Sequence, residues 1–169
     1  MKNNNKKKKN PAIYAAIVIG ILIVSLTIFF TYSNENAKLR GQMFGNELKG
    51  IQDELKELTH SFDSKLSMFK DGNLDKENFL TSTDTHEMKM GLIILQYDHL
   101  QIPNGFDAAV DLFKLSAETQ LESDIQIIEW VKTGNDAAHI RSDALLQESF
   151  EYEMAALSEY KLAKEPLNP

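Results

Sequence analysis

Apolar and polar positions divide the chain into one uninterrupted apolar run and four longer stretches of helical periodicity. The run, Pro11 to Tyr32, reads PAIYAAIVIGILIVSLTIFFTY and carries no charge over 22 residues. At about 1.5 Å per residue a helix of that length covers the hydrocarbon core of a bilayer. Tyr14 stands near one end of it and Phe29, Phe30 and Tyr32 near the other, where interfacial anchors belong. The run is longer than the apolar core of a cleaved signal peptide, and Thr31-Tyr32-Ser33 is a poor small-x-small site. A retained transmembrane helix is therefore expected over 11–32.

Beyond it, three turn signals separate four segments: Asp71-Gly72-Asn73, Pro103-Asn104-Gly105 and Gly134-Asn135-Asp136. In the first segment, about 34–70, Leu48, Ile51, Leu55, Leu58, Phe62, Leu66 and Phe69 recur at spacings of three and four, a heptad-like stripe. Gly41, Gly45 and Gly50 predict a hinge or break in its first part. The second segment, about 75–101, aligns Phe79, Met90, Ile93, Tyr97 and Leu100. The third, about 106–132, aligns Phe106, Val110, Phe113, Ala117, Leu121, Ile128 and Val131. The fourth, about 136–164, aligns Ala138, Leu145, Tyr152, Ala156, Tyr160 and Ala163, with Asp136 positioned to cap it and Pro166 to stop it. No run of period-two alternation marks a strand. Short loops between long helices make neighbours antiparallel. The expected fold is all-α: one N-terminal transmembrane helix followed by an antiparallel up-down-up-down four-helix bundle. The competing arrangement is a coiled-coil dimer built on the first helix.

Charge orients this plan. Five of the 18 basic residues, Lys2 and Lys6 to Lys9, precede the apolar run, and the first acidic residue is Glu35. The positive-inside rule places residues 1–10 in the cytoplasm as a basic tail and residues 33–169 outside as the helical domain, in the cell membrane. That domain carries a net charge of −12, which repels nucleic acid and anionic headgroups. The chain has no cysteine, which excludes disulfides, thiol nucleophiles, Cys-ligated zinc and iron–sulfur clusters.

Candidate chemistry is sparse. The turn KDGNLDKENF fits no EF-hand register: one register places Phe69 and Asn78 at ligand positions, the other puts Lys76 where glycine belongs. Glu57-x-x-His60 and Asp136-x-x-His139 have the spacing of di-metal bundle ligands, but His60 and His139 fall away from the apolar stripes and should face solvent. No catalytic triad order, zinc-protease or phosphate-loop motif occurs. Trp130 and Tyr160 are expected to pack at helix edges. No enzyme activity, metal or cofactor is expected.

One polar cluster stands out. His86 falls on the apolar face of the second helix and Asp124 in the middle of that of the third, while Arg141 borders that of the fourth. In an antiparallel bundle all three lie at one level. A buried charge must be paired, so Asp124 is expected to meet Arg141, His86 or both. This layer could fix helix register, or serve as a proton- or ligand-sensing site with His86 as the titrating group.

The stretch Leu112 to Leu157, LFKLSAETQLESDIQIIEWVKTGNDAAHIRSDALLQESFEYEMAAL, resembles part of a group of uncharacterised small membrane-anchored helical proteins of archaea. The resemblance covers the C-terminal half of the outside domain and implies no activity. In architecture alone the chain is similar to the extracytoplasmic four-helix sensor domains of chemoreceptors, without their second transmembrane helix or signalling domain. The expected role is a non-enzymatic interaction module that sits in the lipid bilayer through 11–32. It would bind another envelope protein or its own copies. The alternative is a small-ligand or pH-sensing bundle acting through a partner.

Overall fold

The computed structural model describes the backbone of residues 11–164 and the side chains of residues 39–164. Four helices make up an all-α protein: α1 Pro11–Lys70, α2 Lys76–Tyr97, α3 Asp107–Thr133 and α4 Asp136–Lys164. No strand occurs among the described residues. The chain divides into two units, 1–41 and 42–169. The expected basic tail (1–10) and transmembrane span (11–32) lie outside the residues whose side chains are described. Among the described residues, no helix is long and apolar enough to cross a membrane.

Local sequence explains the helix ends. After α1 the backbone turns through Gly72 at φ 74°, a left-handed conformation that only glycine adopts without cost. The Asn73 and Leu74 N–H groups both donate to the carbonyl of Met68, at 2.8 and 3.0 Å. Asp75 caps α2 by accepting from the Asn78 backbone N–H at 2.8 Å, and these bonds from Asn78 hold the Asp75 carboxyl below its ordinary pKa. Gly134, also at φ 74°, ends α3, its N–H donating to the Trp130 carbonyl.

Three sequence expectations need correction here. The backbone remains helical through Gly41, Gly45 and Gly50, because Phe44, Leu48 and Ile51 beside them are buried and that burial outweighs the weak helix propensity of glycine. The second helix ends at Tyr97, short of Gln101, in successive tight turns from Asp98, His99 and Leu100 to Leu95, Gln96 and Tyr97. Asn135, not Asp136, caps α4: its side chain accepts from the Ala137 N–H at 3.1 Å.

Side-chain pairs set neighbouring helices antiparallel. Gln52 meets Tyr97 while Phe62 and Phe69 meet Phe79 (α1 with α2). Lys114 meets Asp98 while Lys76 reaches the carbonyl of Lys132 (α2 with α3). Ser116 meets Ser149 while Ser123 meets Ser142 (α3 with α4). The apolar core falls into two clusters. One joins Phe44, Leu48, Ile51, Ile93, Tyr97, Val110, Phe113 and Ala156. The other joins Phe62, Phe79, Ile127, Ile128 and Val131.

Helices α3 and α4 approach each other through small residues. Ala109, Ser116 and Ser123 recur every seven residues on α3, and Ser142, Ser149 and Ala156 do the same on α4; all six are buried. The Ser116 hydroxyl donates to the Ser149 carbonyl at 2.8 Å, and the Ser149 hydroxyl donates back to the Ser116 carbonyl at 2.9 Å. The Ser123 hydroxyl likewise donates to the Ser142 carbonyl at 2.9 Å. A hydroxyl reaches a carbonyl of the neighbouring helix only where the two backbones come close, which large side chains prevent. The partner groups also remove the cost of burying a serine.

Candidate functional site

His86 of α2 and Asp124 of α3 meet in the interior. His86 is 5 % exposed and Asp124 3 %. The His86 Nε2 stands 2.7 Å from Asp124 Oδ2, and a carboxylate can only accept, so the imidazole N–H donates. Gln120, one turn earlier on α3, donates from its amide nitrogen to the other carboxylate oxygen at 2.9 Å. Phe62 of α1 stacks on the imidazole with ring centroids 4.3 Å apart, 20° from parallel. Both carboxylate oxygens of Asp124 therefore have partners, whereas the buried Nδ1 of His86 has no hydrogen bond within the protein.

Arg141 does not belong to this layer. It is exposed, and the adjacent Ser142 takes the inward position, 2 % exposed and bonded to Ser123. The physical reason is the close α3–α4 contact, which has room for serine and alanine but not for a guanidinium on its stem. Asp124 is satisfied by a histidine and a glutamine instead.

The other singled-out residues lie elsewhere. His60 is exposed on α1. His139 is partly exposed, edge-on to Trp130 at 4.7 Å and 3.3 Å from Asp143. No group of three or more His, Asp or Glu side chains among the described residues could hold a metal. Tyr160 packs edge-on to Phe106, which in turn meets Phe44.

Two features were not anticipated from sequence. The first is a polar groove of about 480 Å³ between α1 and the α3–α4 pair, with Gln52, Asp63, Gln120 and Glu153 in its wall. Asp63 stands exposed at the edge of this wall; partial desolvation there, and next the charge of Asp124, push its carboxyl above its ordinary pKa. A carboxyl whose folded pKa is raised opposes folding when ionised, so its neutral form is favoured at low pH and stability is lost as pH rises through the raised value. Asp63→Asn should therefore raise the thermal unfolding midpoint at neutral pH, and the advantage should vanish below the ordinary aspartate range. A variant less stable than the wild type at neutral pH would show that the Asp63 charge is compensated.

The second is an apolar row on the outer side of α4. Leu146, Phe150 and Leu157 are all exposed, Phe150 at 59 %, and follow one another at spacings of four and seven, so they share a face. Leu115 of α3 is exposed as well. In the register of the serine pairs it stands opposite Phe150. The only sequence signal for this row is its helical spacing, which resembles that of a core stripe.

No protein family, curated protein or solved structure matches the chain.

Proposed function

We propose that this protein is a membrane-anchored extracytoplasmic interaction module without catalytic chemistry, built as an up-down-up-down four-helix bundle. Its outer α3–α4 face joins it to a second copy of itself. The apolar row of Leu146, Phe150 and Leu157, with Leu115 beside it, carries this reading. A row of large exposed apolar side chains favours a protein partner. Helix α2 carries a second such row, Met88, Leu92 and Leu95, and the α4 row is favoured because Leu115 of α3 extends it onto the neighbouring helix. Copies anchored in one membrane through 11–32, with residues 1–10 cytoplasmic and 33–169 outside, meet at high effective concentration. In a two-fold dimer the same patch serves both sides, so that Phe150 of one copy meets Phe150 of the other.

The cysteine-free sequence gives a clean test. Phe150→Cys, expressed in the full chain in intact membranes, should form a disulfide-linked dimer under mild oxidation. Asp84→Cys, on an exposed position of α2, should stay monomeric. Equal crosslinking at the two positions would sink the proposed interface.

The sensing alternative rests on a narrower base. With Arg141 outside the layer, it relies on His86, Asp124 and the unpartnered Nδ1. The polar layer between two apolar clusters equally suits a device that fixes helix register.

A further inference from the structure

Asn104 is the single asparagine of the chain that is followed by glycine. With Gly105 it forms the centre of the turn between α2 and α3, where the Phe106 N–H donates to the Pro103 carbonyl at 3.1 Å. Gly105 has φ 92°, the conformation that the third position of such a turn demands of glycine. Both residues are exposed. Among the described residues, neither the Asn104 side chain nor the Gly105 N–H has a hydrogen-bond partner. Asn46, Asn73, Asn78 and Asn135 are followed instead by Glu47, Leu74, Phe79 and Asp136. The N–H groups of Leu74 and Phe79 are held by the carbonyls of Met68 and Asp75, and Glu47 lies inside α1.

We propose that Asn104 is a site of spontaneous self-modification, in which its side-chain amide is lost through a cyclic imide closed by the backbone of Gly105. Once the Gly105 N–H loses its proton to solvent, its nitrogen attacks Cγ of Asn104. The N–Cγ bond forms, the Cγ–Nδ2 bond breaks, and Nδ2 takes up a proton and leaves as ammonia. Water then opens the five-membered imide at one of its two carbonyls. One opening gives aspartate; the other gives isoaspartate, whose chain runs through Cβ and Cγ. Water is the sole co-reactant, and no electrons are exchanged. Glycine suits the step because it has no Cβ to crowd the closing ring.

The two products differ in what they do to the fold. Ile102 and Phe106, on either side of the turn, pack against the larger apolar cluster. Phe106 meets Phe44 and Tyr160 edge-on, each with ring centroids 5.2 Å apart. An isoaspartyl link adds a methylene to the backbone between these anchors, so the Pro103–Phe106 bond is lost and the first turn of α3 loosens. Ordinary aspartate leaves the backbone intact. Its charge arises just ahead of α3, whose N-cap Phe106 supplies no side-chain bond and whose dipole accepts a negative charge there. The site is independent of the proposed self-association.

Peptide mapping by mass spectrometry tests this on the full-length chain in non-ionic detergent, incubated at mildly alkaline pH. The Asn104 peptide should exchange NH2 for OH and resolve into two products, while Asn46, Asn73, Asn78 and Asn135 keep their amides. The rate should rise with pH, because the Gly105 amide has to lose its proton first. Gly105→Ala should slow the conversion roughly tenfold or more, through the barrier that the added Cβ raises, with helicity by circular dichroism as the check on folding. Asn104→Gln, which keeps the glycine, should release no ammonia at this position. Hydrogen exchange reads the consequence: chains carrying isoaspartate should lose protection at the Phe106 and Val110 amides, whose bonds run to Pro103 and Phe106, whereas Asn104→Asp should keep it. Conversion at Asn104 no faster than at the other four, or unchanged in a folded Gly105→Ala, would overturn the site. Full protection in isoaspartate-containing chains would overturn its effect on α3.

Discussion

Asp124→Ala should destabilise the fold by about 3–5 kcal/mol, the usual cost of removing one member of a buried pair. The substitution leaves the His86 Nε2 beside its already unpartnered Nδ1, both inside a 5 % exposed side chain, and it also strips the Gln120 amide of its acceptor. Replacing both members by apolar residues, as in His86→Leu with Asp124→Leu, should recover much of the loss, because the two apolar clusters then merge across the layer. Arg141→Ala should change stability by less than about 0.5 kcal/mol, as exposed substitutions usually do. Denaturant unfolding of the full chain, followed by circular dichroism and by the fluorescence of the single tryptophan, Trp130, measures all three. Equal costs for Asp124→Ala and Arg141→Ala would mean that the interior pair is not a structural unit. A double variant no better than the single one would mean that the layer's polarity itself is needed for a unique register.

The close α3–α4 contact should be nearly as sensitive. Ser123→Leu should cost about 1–3 kcal/mol or more, because the added side chain has to push α4 away from the carbonyl of Ser142. Ser123→Ala should cost only about 1 kcal/mol, the net value of one hydrogen bond. The same denaturation experiment separates the two. If leucine is tolerated as well as alanine, the helices are not held at serine distance.

The sequence by itself determined the all-α class, the turns and most of the apolar faces, but it split into a membrane span and a first bundle helix what is one helix, Pro11–Lys70. Turns and faces depend on local signals: period-3.6 spacing, glycines at positive φ, and capping side chains such as Asp75. It also placed His86 and Asp124 inward, because each interrupts an apolar stripe at core spacing and so has to share the fate of its neighbours. The tertiary structure decided what those stripes could not. A heptad of serines reads as polar surface until a second heptad of small residues faces it, and only the α3–α4 register pairs Ser116 with Ser149 and Ser123 with Ser142. That choice turned Ser142 inward and left Arg141 outside, though both border the same face of α4. The row of Leu146, Phe150 and Leu157 has core-like spacing, yet it faces outward because α4 already buries its adjoining serine face against α3. The polar groove was equally hidden: Gln52, Asp63, Gln120 and Glu153 come from three helices, and what brings them together is antiparallel packing, a relation between distant segments that no local pattern encodes.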